Sequence, residues 1–365
     1  MKFIFFKPKK KKYLIFDRVG SKILKTCILK KNIQILDVRY ESINIHILIY
    51  TFFKNFFFFF ENGEFIKNLK KYYIINYLKF VSPKIILTYI DNNFLFYRLK
   101  KYYPDAKYIC FQNGLRDDNF FLNLSNISKK IELRCDLLFV HGEDIKKKIS
   151  RFIKAKIFAT GNILNNHYLS QKKEFKKCII FISQAKPHEG DETIDFENKY
   201  KTEIFLFNIL KNFCIKNNIK LFFLPKCTKE YKNEIKKKLN YNKIIFCNQK
   251  EKYTIINSAK LIVFINSTLG YEALSKYKKI TCFPFTKKIL GWRYRKFGVP
   301  KNYKTNGEFW SSSRNKEKIN KIISKIYYMK KQQWHKLIQK YKNIMSFDKK
   351  NKKTKILISQ TLKYF

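Results

Sequence analysis

Short runs of β-branched and aromatic residues recur along the whole chain, separated by lysine-rich stretches of helical period. An apolar run too short for a helix, followed by an amphipathic segment, is the pattern of strand–helix–strand units. Such units build parallel sheets covered by helices on both faces. Lys12–Phe16 reads as the first strand, Ser21–Lys30 as a helix and Ile33–Leu36 as the next strand. Residues 42–80 read as two helices broken at Glu61-Asn62-Gly63. Further strands are expected at Lys84–Tyr89, Lys107–Phe111, Asp136–Val140 and Lys156–Ala159, with helices at Asn92–Lys101 and Glu143–Phe152.

Residues 167–177 are polar and carry no period, so they read as a linker. The alternation then restarts with strands at Cys178–Ser183, Lys220–Leu224, Lys243–Cys247, Lys260–Ile265 and Lys279–Phe283. Helices are expected between them at Phe196–Ile215, Lys229–Leu239, Glu251–Ser258 and Leu269–Lys276. A chain of 365 residues holds two such domains comfortably. The expected division is 1–166 and 178–345, with 346–365 as a basic tail ending in a helix. Two amphipathic helices close the second domain, one on Ile319, Ile322, Ile323 and Ile326, the other on Trp334, Leu337, Ile338, Tyr341 and Ile344.

The net charge is +51, and nine of the 78 basic residues are arginines. Lys, Asn, Ile, Phe and Tyr belong to A/T-rich codons, so the lysine excess reads first as coding bias on exposed positions. A surface drawn to an anionic partner is the functional alternative. The lysines are spread along the chain, no nucleic-acid-binding motif appears, and no nucleic-acid partner is expected. The apolar stretches Ile43–Phe53 and Phe56–Phe60, split by Lys54 and Asn55, are each too short to span a bilayer. At the N-terminus the basic run follows the apolar one, the reverse of a secretory signal, which predicts a cytoplasmic protein. Eight cysteines lie far apart, several within apolar runs, and read as buried small hydrophobes; no metal site is expected.

In an open parallel sheet ligands gather beyond the carboxyl ends of the strands, so the loops there carry the candidates. Asp17 and Gly20 stand in the first such loop, which either offers backbone amides to an anion or simply caps a helix. Asp91, in Ile90-Asp91-Asn92-Asn93, is placed either as a general base or as an N-cap. Gln112-Asn113-Gly114-Leu115-Arg116 packs two amides and a rare arginine after a buried strand, more than a plain turn needs. His141 precedes Gly142 at another strand end, with structural and functional readings evenly matched.

In the second half Ser183, Gln184 and Lys186 follow the first strand, and Lys226 follows Leu224-Pro225. The sharpest loop is Asn266-Ser267-Thr268-Leu269-Gly270-Tyr271-Glu272-Ala273-Leu274. Ser267, Thr268 and the amides around Gly270 form a cradle for phosphate, and Glu272, one turn on, is placed for sugar hydroxyls. Arg293 lies in a later loop, where it could neutralise a diphosphate.

Taken in order, Ile90-Asp91-Asn92-Asn93, the FQNGLR segment ending at Arg116, His141-Gly142 and the STLGYEAL segment from Ser267 resemble the bacterial surface carbohydrate biosynthesis proteins. That family is similar to glycosyltransferases of the GT-B type, so the resemblance implies two Rossmann-like domains facing across a cleft. It implies a donor domain holding a nucleotide-sugar through Ser267, Thr268 and Glu272, and an acceptor domain for a glycan or lipid-linked acceptor. Asp91 and the loop from Gln112 to Arg116 would then face the reacting centre. The expected reaction is an inverting, metal-independent transfer with no cofactor beyond the nucleotide-sugar substrate, at a site touching the anionic inner membrane peripherally. Where many relatives carry His-Pro, this chain departs with Leu224-Pro225-Lys226. A polyol-phosphate transferase and a nucleotide-sugar epimerase share the scaffold, and a non-enzymatic basic membrane-surface or nucleic-acid binder is the rival from another class.

Overall fold

In a computed structural model the structure describes residues 1–28, 32–39, 41–168, 177–184, 193–225, 245–247, 251–285, 296–301 and 303–362. Contacts divide the chain into two units. The first draws on Met1–His141, Ile145–Leu164 and the chain from Asn351 onward, the second on Gly142–Asp144 and Asn165–Lys350.

Up to residue 168 the elements run β1 (Lys2–Ile4), β2 (Tyr13–Phe16), α1 (Ser21–Ile28), β3 (Ile33–Leu36), β4 (Ser42–Asn44) and α2 (Ile45–Asn55). A 3₁₀ helix, Phe56–Gly63, leads to α3 (Phe65–Val81), β5 (Ile85–Thr88), α4 (Phe94–Tyr102) and β6 (Lys107–Phe111). Then come α5 (Asp118–Ser128), β7 (Leu133–Val140), α6 (Glu143–Ile149), β8 (Ile153–Ala159) and α7 (Ile163–His167). Six strands pair in parallel in the order β3-β2-β5-β6-β7-β8, and β1 pairs with β4 in a separate two-stranded sheet. Alternate residues of β2 serve opposite cores. Leu14 and Phe16 pack with Ile74, Leu78 and Phe96, while Tyr13 and Ile15 pack with Ile23, Leu24 and Leu87. Burial on both faces is why the strand reads as an unbroken apolar run.

The second unit carries β9 (Cys178–Ile182), α8 (Thr193–Lys216), β10 (Lys220–Leu224), β11 (Ile245–Phe246), α9 (Lys252–Ser258) and β12 (Leu261–Phe264). After these come α10 (Thr268–Ser275), β13 (Ile280–Cys282), α11 (Lys316–Tyr328) and α12 (Lys331–Ile338). Its five strands are also parallel, in the order β11-β10-β9-β12-β13. In α11 the stripe of Ile319, Ile322, Ile323 and Ile326 is buried, as its spacing predicts. Each unit is thus Rossmann-like, and each sheet reverses its strand order once: between β2 and β5, and between β9 and β12.

The C-terminal segment corrects one expectation. Instead of trailing from the second unit, α13 (Lys352–Leu362) belongs to the first. Ile358 is buried with Ile23, Leu24 and Cys27, and the Asn351 side-chain amide donates to the Ile163 carbonyl at 2.9 Å. A helix flanked by lysines looks like a solvated tail in sequence, but its apolar side has a partner more than 300 residues away. The linker expected at 167–177 and the helix expected at 229–239 fall largely outside the described residues. All seven described cysteines are buried, in keeping with their apolar settings.

Candidate functional site

The reversal in the first unit brings the loop after β2 beside the loop after β5. Asp17 is buried and left-handed, with φ of 82°. Its carboxylate accepts from the Val19 amide at 2.8 Å and from Arg39 Nε at 2.7 Å. The neighbouring strand repeats the device, since Asp37 takes two hydrogen bonds from Arg18, at 2.9 and 2.6 Å. Gly20 has φ of +74°, and a Cβ there would lie 2.4 Å from the Tyr89 ring. Only glycine therefore lets this turn close against the loop leading to Asp91.

The candidates after β5, β6 and β7 come together in one polar cluster. Asp91 is buried, and Arg116 grips it with two hydrogen bonds, the one from Nε at 2.7 Å to Oδ2. Oδ1 also accepts from the Asn113 amide at 3.0 Å. Asn113 Oδ1 receives Arg116 at 2.5 Å, and the guanidinium lies 5.0 Å over the Phe120 ring. Burial disfavours the charge on Arg116, yet the Asp91 carboxylate holds its pKa above the ordinary value. Both Asp91 oxygens are thus committed and shielded from solvent, so neither reading of Asp91 from sequence, open base or helix cap, describes this carboxylate. The α4 cap is Asn93, whose side chain accepts from Leu95.

Gln112 ties the third strand into the cluster. Its side-chain oxygen accepts from the His141 amide at 2.8 Å and its side-chain nitrogen donates to the Gly114 carbonyl at 2.7 Å. The Gln112 carbonyl lies 3.1 Å from His141 Nε2. A carbonyl can only accept, so Nε2 carries the proton and Nδ1 presents a bare lone pair. Nδ1 is buried, with no hydrogen-bond partner among the described residues. Burial lowers the His141 pKa to about 4; Asp91 opposes the shift and Arg116 adds to it. The imidazole is therefore neutral at ordinary pH.

In the second unit the reversal brings the ends of β9 and β12 together. Ser183 Oγ and the Gln184 amide donate to the two oxygens of Glu203, both at 2.5 Å. Gln184 in turn accepts from the Asn266 amide at 3.2 Å, which joins the two loops. Ser267 is the N-cap of α10, with extended backbone and no side-chain cap bond, and its carbonyl accepts from the Gly270 amide at 3.1 Å. Thr268 opens the helix. Gly270 serves packing, since a Cβ there would lie 2.3 Å from the Phe264 ring.

Glu272 lies on the buried side of α10, where its backbone carbonyl accepts from Asn165 and Ser275. One turn on, burial lowers the Lys276 pKa to about 8, with Glu272 opposing and Lys278 adding. Lys186, Lys226 and Arg293 lie outside the described residues. Among the described residues no group of three His, Cys, Asp or Glu side chains is arranged to hold a metal.

Glu203 was not among the residues expected from sequence. Its signal was there: it shares the buried stripe of α8 with Leu206, Phe207 and Leu210, at i, i+3, i+4 and i+7. A carboxylate on such a stripe must find donors. Asp37 and its partner Arg18 had no comparable local mark, because their pairing depends on β2 and β3 lying side by side.

Residues 109–362, more than two thirds of the chain, match the family described as "putative O-antigen biosynthesis protein". The chain belongs to this family. Among solved structures, UDP-GlcNAc 2-epimerase from Neisseria meningitidis, bound to UDP-GlcNAc, matches with a TM-score of 0.56 and 13% identity over 100% of both chains. UDP-GlcNAc 2-epimerase from Methanocaldococcus jannaschii gives 0.55 and 16%, again over 100% of both chains. The wall teichoic acid polymerase TagF gives 0.51 and 11%, over 98% of this O-antigen family chain and 90% of its own. At these identities the likeness is one of fold, and it is GT-B-like. No curated protein sequence matches the chain. The family resemblance read from the loop motifs therefore stands.

Proposed function

We propose that the chain is a metal-independent glycosyltransferase-like enzyme of surface polysaccharide biosynthesis. It would move a sugar from a nucleotide-sugar to a glycan or lipid-linked acceptor, with inversion, on the cytoplasmic side of the inner membrane. One observation carries this reading. At the strand-order reversal of the second unit, Ser267, Thr268 and the start of α10, which has no side-chain cap bond from Ser267, meet the Ser183–Gln184 loop, and the Glu203 carboxylate there is engaged by its neighbours. The dipole, amides and hydroxyls of a helix start favour a phosphate, and they favour it most as the leaving phosphate gains charge. Lys186, Lys226 and Arg293 are proposed to add positive charge there.

The first unit would hold the acceptor. The acceptor oxygen bonds to the anomeric carbon and its proton passes to solvent. The bond from that carbon to the nucleotide phosphate breaks, its electron pair staying on the phosphate oxygen. Asp91 and Arg116 act as a positioning pair, fixing the loop that carries Gln112 and Asn113 against His141. A second reading, a nucleotide-sugar epimerase, draws support from the two epimerase structures that match this chain end to end.

Thermal unfolding with a panel of nucleoside mono- and diphosphates and their sugar conjugates tests the donor site. A true ligand at a hundredfold its Kd adds about 2.7 kcal/mol, a shift of several degrees. Thr268→Asp should abolish that shift and leave the unliganded melting temperature unchanged, because an acid suits the first turn of a helix but repels phosphate. If no nucleotide stabilises the protein, the proposal fails. NMR of the matching nucleotide-sugar separates the two readings: an epimerase forms the second sugar isomer with no acceptor present.

A further inference from the structure

Residues 45–66 of the first unit present the most unusual surface among the described residues. Seven of the nine residues from Phe52 to Phe60 are phenylalanines. Phe59 is fully buried and anchors the turn, its ring 5.5 Å from Phe65 and 6.4 Å from Tyr72. The other six point outward. Phe57 is 88% exposed and Phe53 79%, with Ile66 at 72% on the next helix; Phe52, Phe56, Phe58 and Phe60 are exposed as well. A monomeric soluble surface does not display apolar side chains so contiguously without a use. Nor do these rings merely cover one another: Phe56 touches Phe52 and Phe60, at 5.3 and 5.5 Å, and all three stay exposed.

The charge around these rings identifies what covers them. From residue 45 to residue 81 there are five lysines against two glutamates, Glu61 and Glu64, and Glu64 is paired with Lys67 at 2.7 Å. The N-terminal strand is tied to the same hairpin. It pairs with β4, which runs directly into α2, and the Asn44 side chain donates to the Phe6 carbonyl at 2.8 Å. Phe5 and Phe6, just after this strand, are exposed, and the first twelve residues carry six lysines and no acid. Protein interfaces are rich in aromatic residues, Phe included, but also in Arg and Met, and they are poor in Lys. Residues 45–81 contain no Arg, Trp or Met and carry phenylalanines edged by lysine. That is the chemistry of a surface seated in the boundary of an anionic bilayer, rings among the acyl chains and ammonium groups at the phosphates. No described helix is long and apolar enough to cross a membrane, so the insertion is shallow.

The geometry points to the 3₁₀ turn at 56–63, with the flanking ends of α2 and α3, as a membrane-inserting wedge for an anionic lipid leaflet. This deepens the membrane contact in the proposed function by naming the element responsible. It does not need the transfer reaction, and vesicle binding reads it with no donor or acceptor present, so either idea can fail alone.

The test uses the full chain with vesicles of phosphatidylglycerol and phosphatidylcholine. The chain should sediment with them and remain partly bound at about 0.5 M salt, where a screening length of a few Å suppresses adsorption by charge alone. Phe53→Ser, Phe57→Ser and Phe60→Ser combined should weaken binding roughly tenfold or more while the protein stays folded, since these side chains already face solvent. Phe57→Trp should shift its emission to the blue on binding and be quenched by lipids brominated in the acyl chain. Equal binding by wild type and the triple variant would overturn the wedge in favour of adsorption by net charge. So would unquenched emission at position 57. Sedimentation showing a wild-type dimer that the triple variant abolishes would assign the patch to a second copy of the chain.

Discussion

The two strand-order reversals are finished in different ways. In the first unit three aspartates occupy the strand ends, and each is closed by an arginine: Asp17 by Arg39, Asp37 by Arg18, Asp91 by Arg116. In the second unit the described residues at the same position offer hydroxyls and amides, and the Glu203 carboxylate is bonded to Ser183 and Gln184. Charges that cancel within the protein fix loops in place and leave little field for a ligand. Neutral dipoles around a helix start do not cancel the field of that helix, which favours an anion. One sheet thus spends its polar residues on a rigid frame, the other on reception.

The contrast can be broken most forcefully at Arg116. Its side chain is 11% exposed beside a fully buried Asp91, so Arg116→Ala strands a buried carboxylate. A loss of about 3–5 kcal/mol in chemical denaturation is expected; a loss under about 1 kcal/mol would mean that water reaches Asp91. His141 gives the next largest effect. Its pKa is near 6.5 when unfolded and falls to about 4 in the native protein, where burial disfavours the charged ring. The unfolded chain therefore binds the proton first, and stability present above pH 6.5 drains away as pH falls toward 4. That amounts to on the order of 3 kcal/mol, and His141→Gln should flatten the profile in this window.

In the second unit Glu203→Gln keeps the shape but removes the charged acceptor of two hydrogen bonds. About 2 kcal/mol should be lost, with nucleotide-dependent stabilisation falling alongside. The smallest effect is expected at Arg39→Ala. Arg39 is 50% exposed, so water can take over its bond to Asp17 and the change should stay below about 1 kcal/mol. If Arg39 cost as much as Arg116, the first unit's three pairs would be equivalent and the reading of Asp91 as the centre of the frame would fall.

Much of the architecture is legible in the residues themselves. The doubly buried strands announce themselves as unbroken runs such as Leu261–Phe264, and α11 as four isoleucines at helical spacing. β1 and β4 were not anticipated, because three residues such as Ser42–Asn44 carry no period and acquire strand geometry only by pairing with each other. The helix α5 also escaped, its polar Asn and Ser positions masking a buried face of Phe121 and Leu124. Loops were located correctly by their position after strands, and Asp91, Gln112, Asn113, Arg116 and His141 do meet. What each side chain does there depends on partners across the sheet. No local pattern shows that Asp91 is held by Arg116, or that His141 is left with a lone pair.

The return of α13 to the first unit has a consequence for biosynthesis. Ile358 completes the layer over Ile23, Leu24 and Cys27, so the lobe that leaves the ribosome first cannot be finished until residues beyond 350 have followed it. Through translation of the whole second lobe the earlier one waits with an apolar flank uncovered, and a chain cut short near residue 345 would damage the half it never reached.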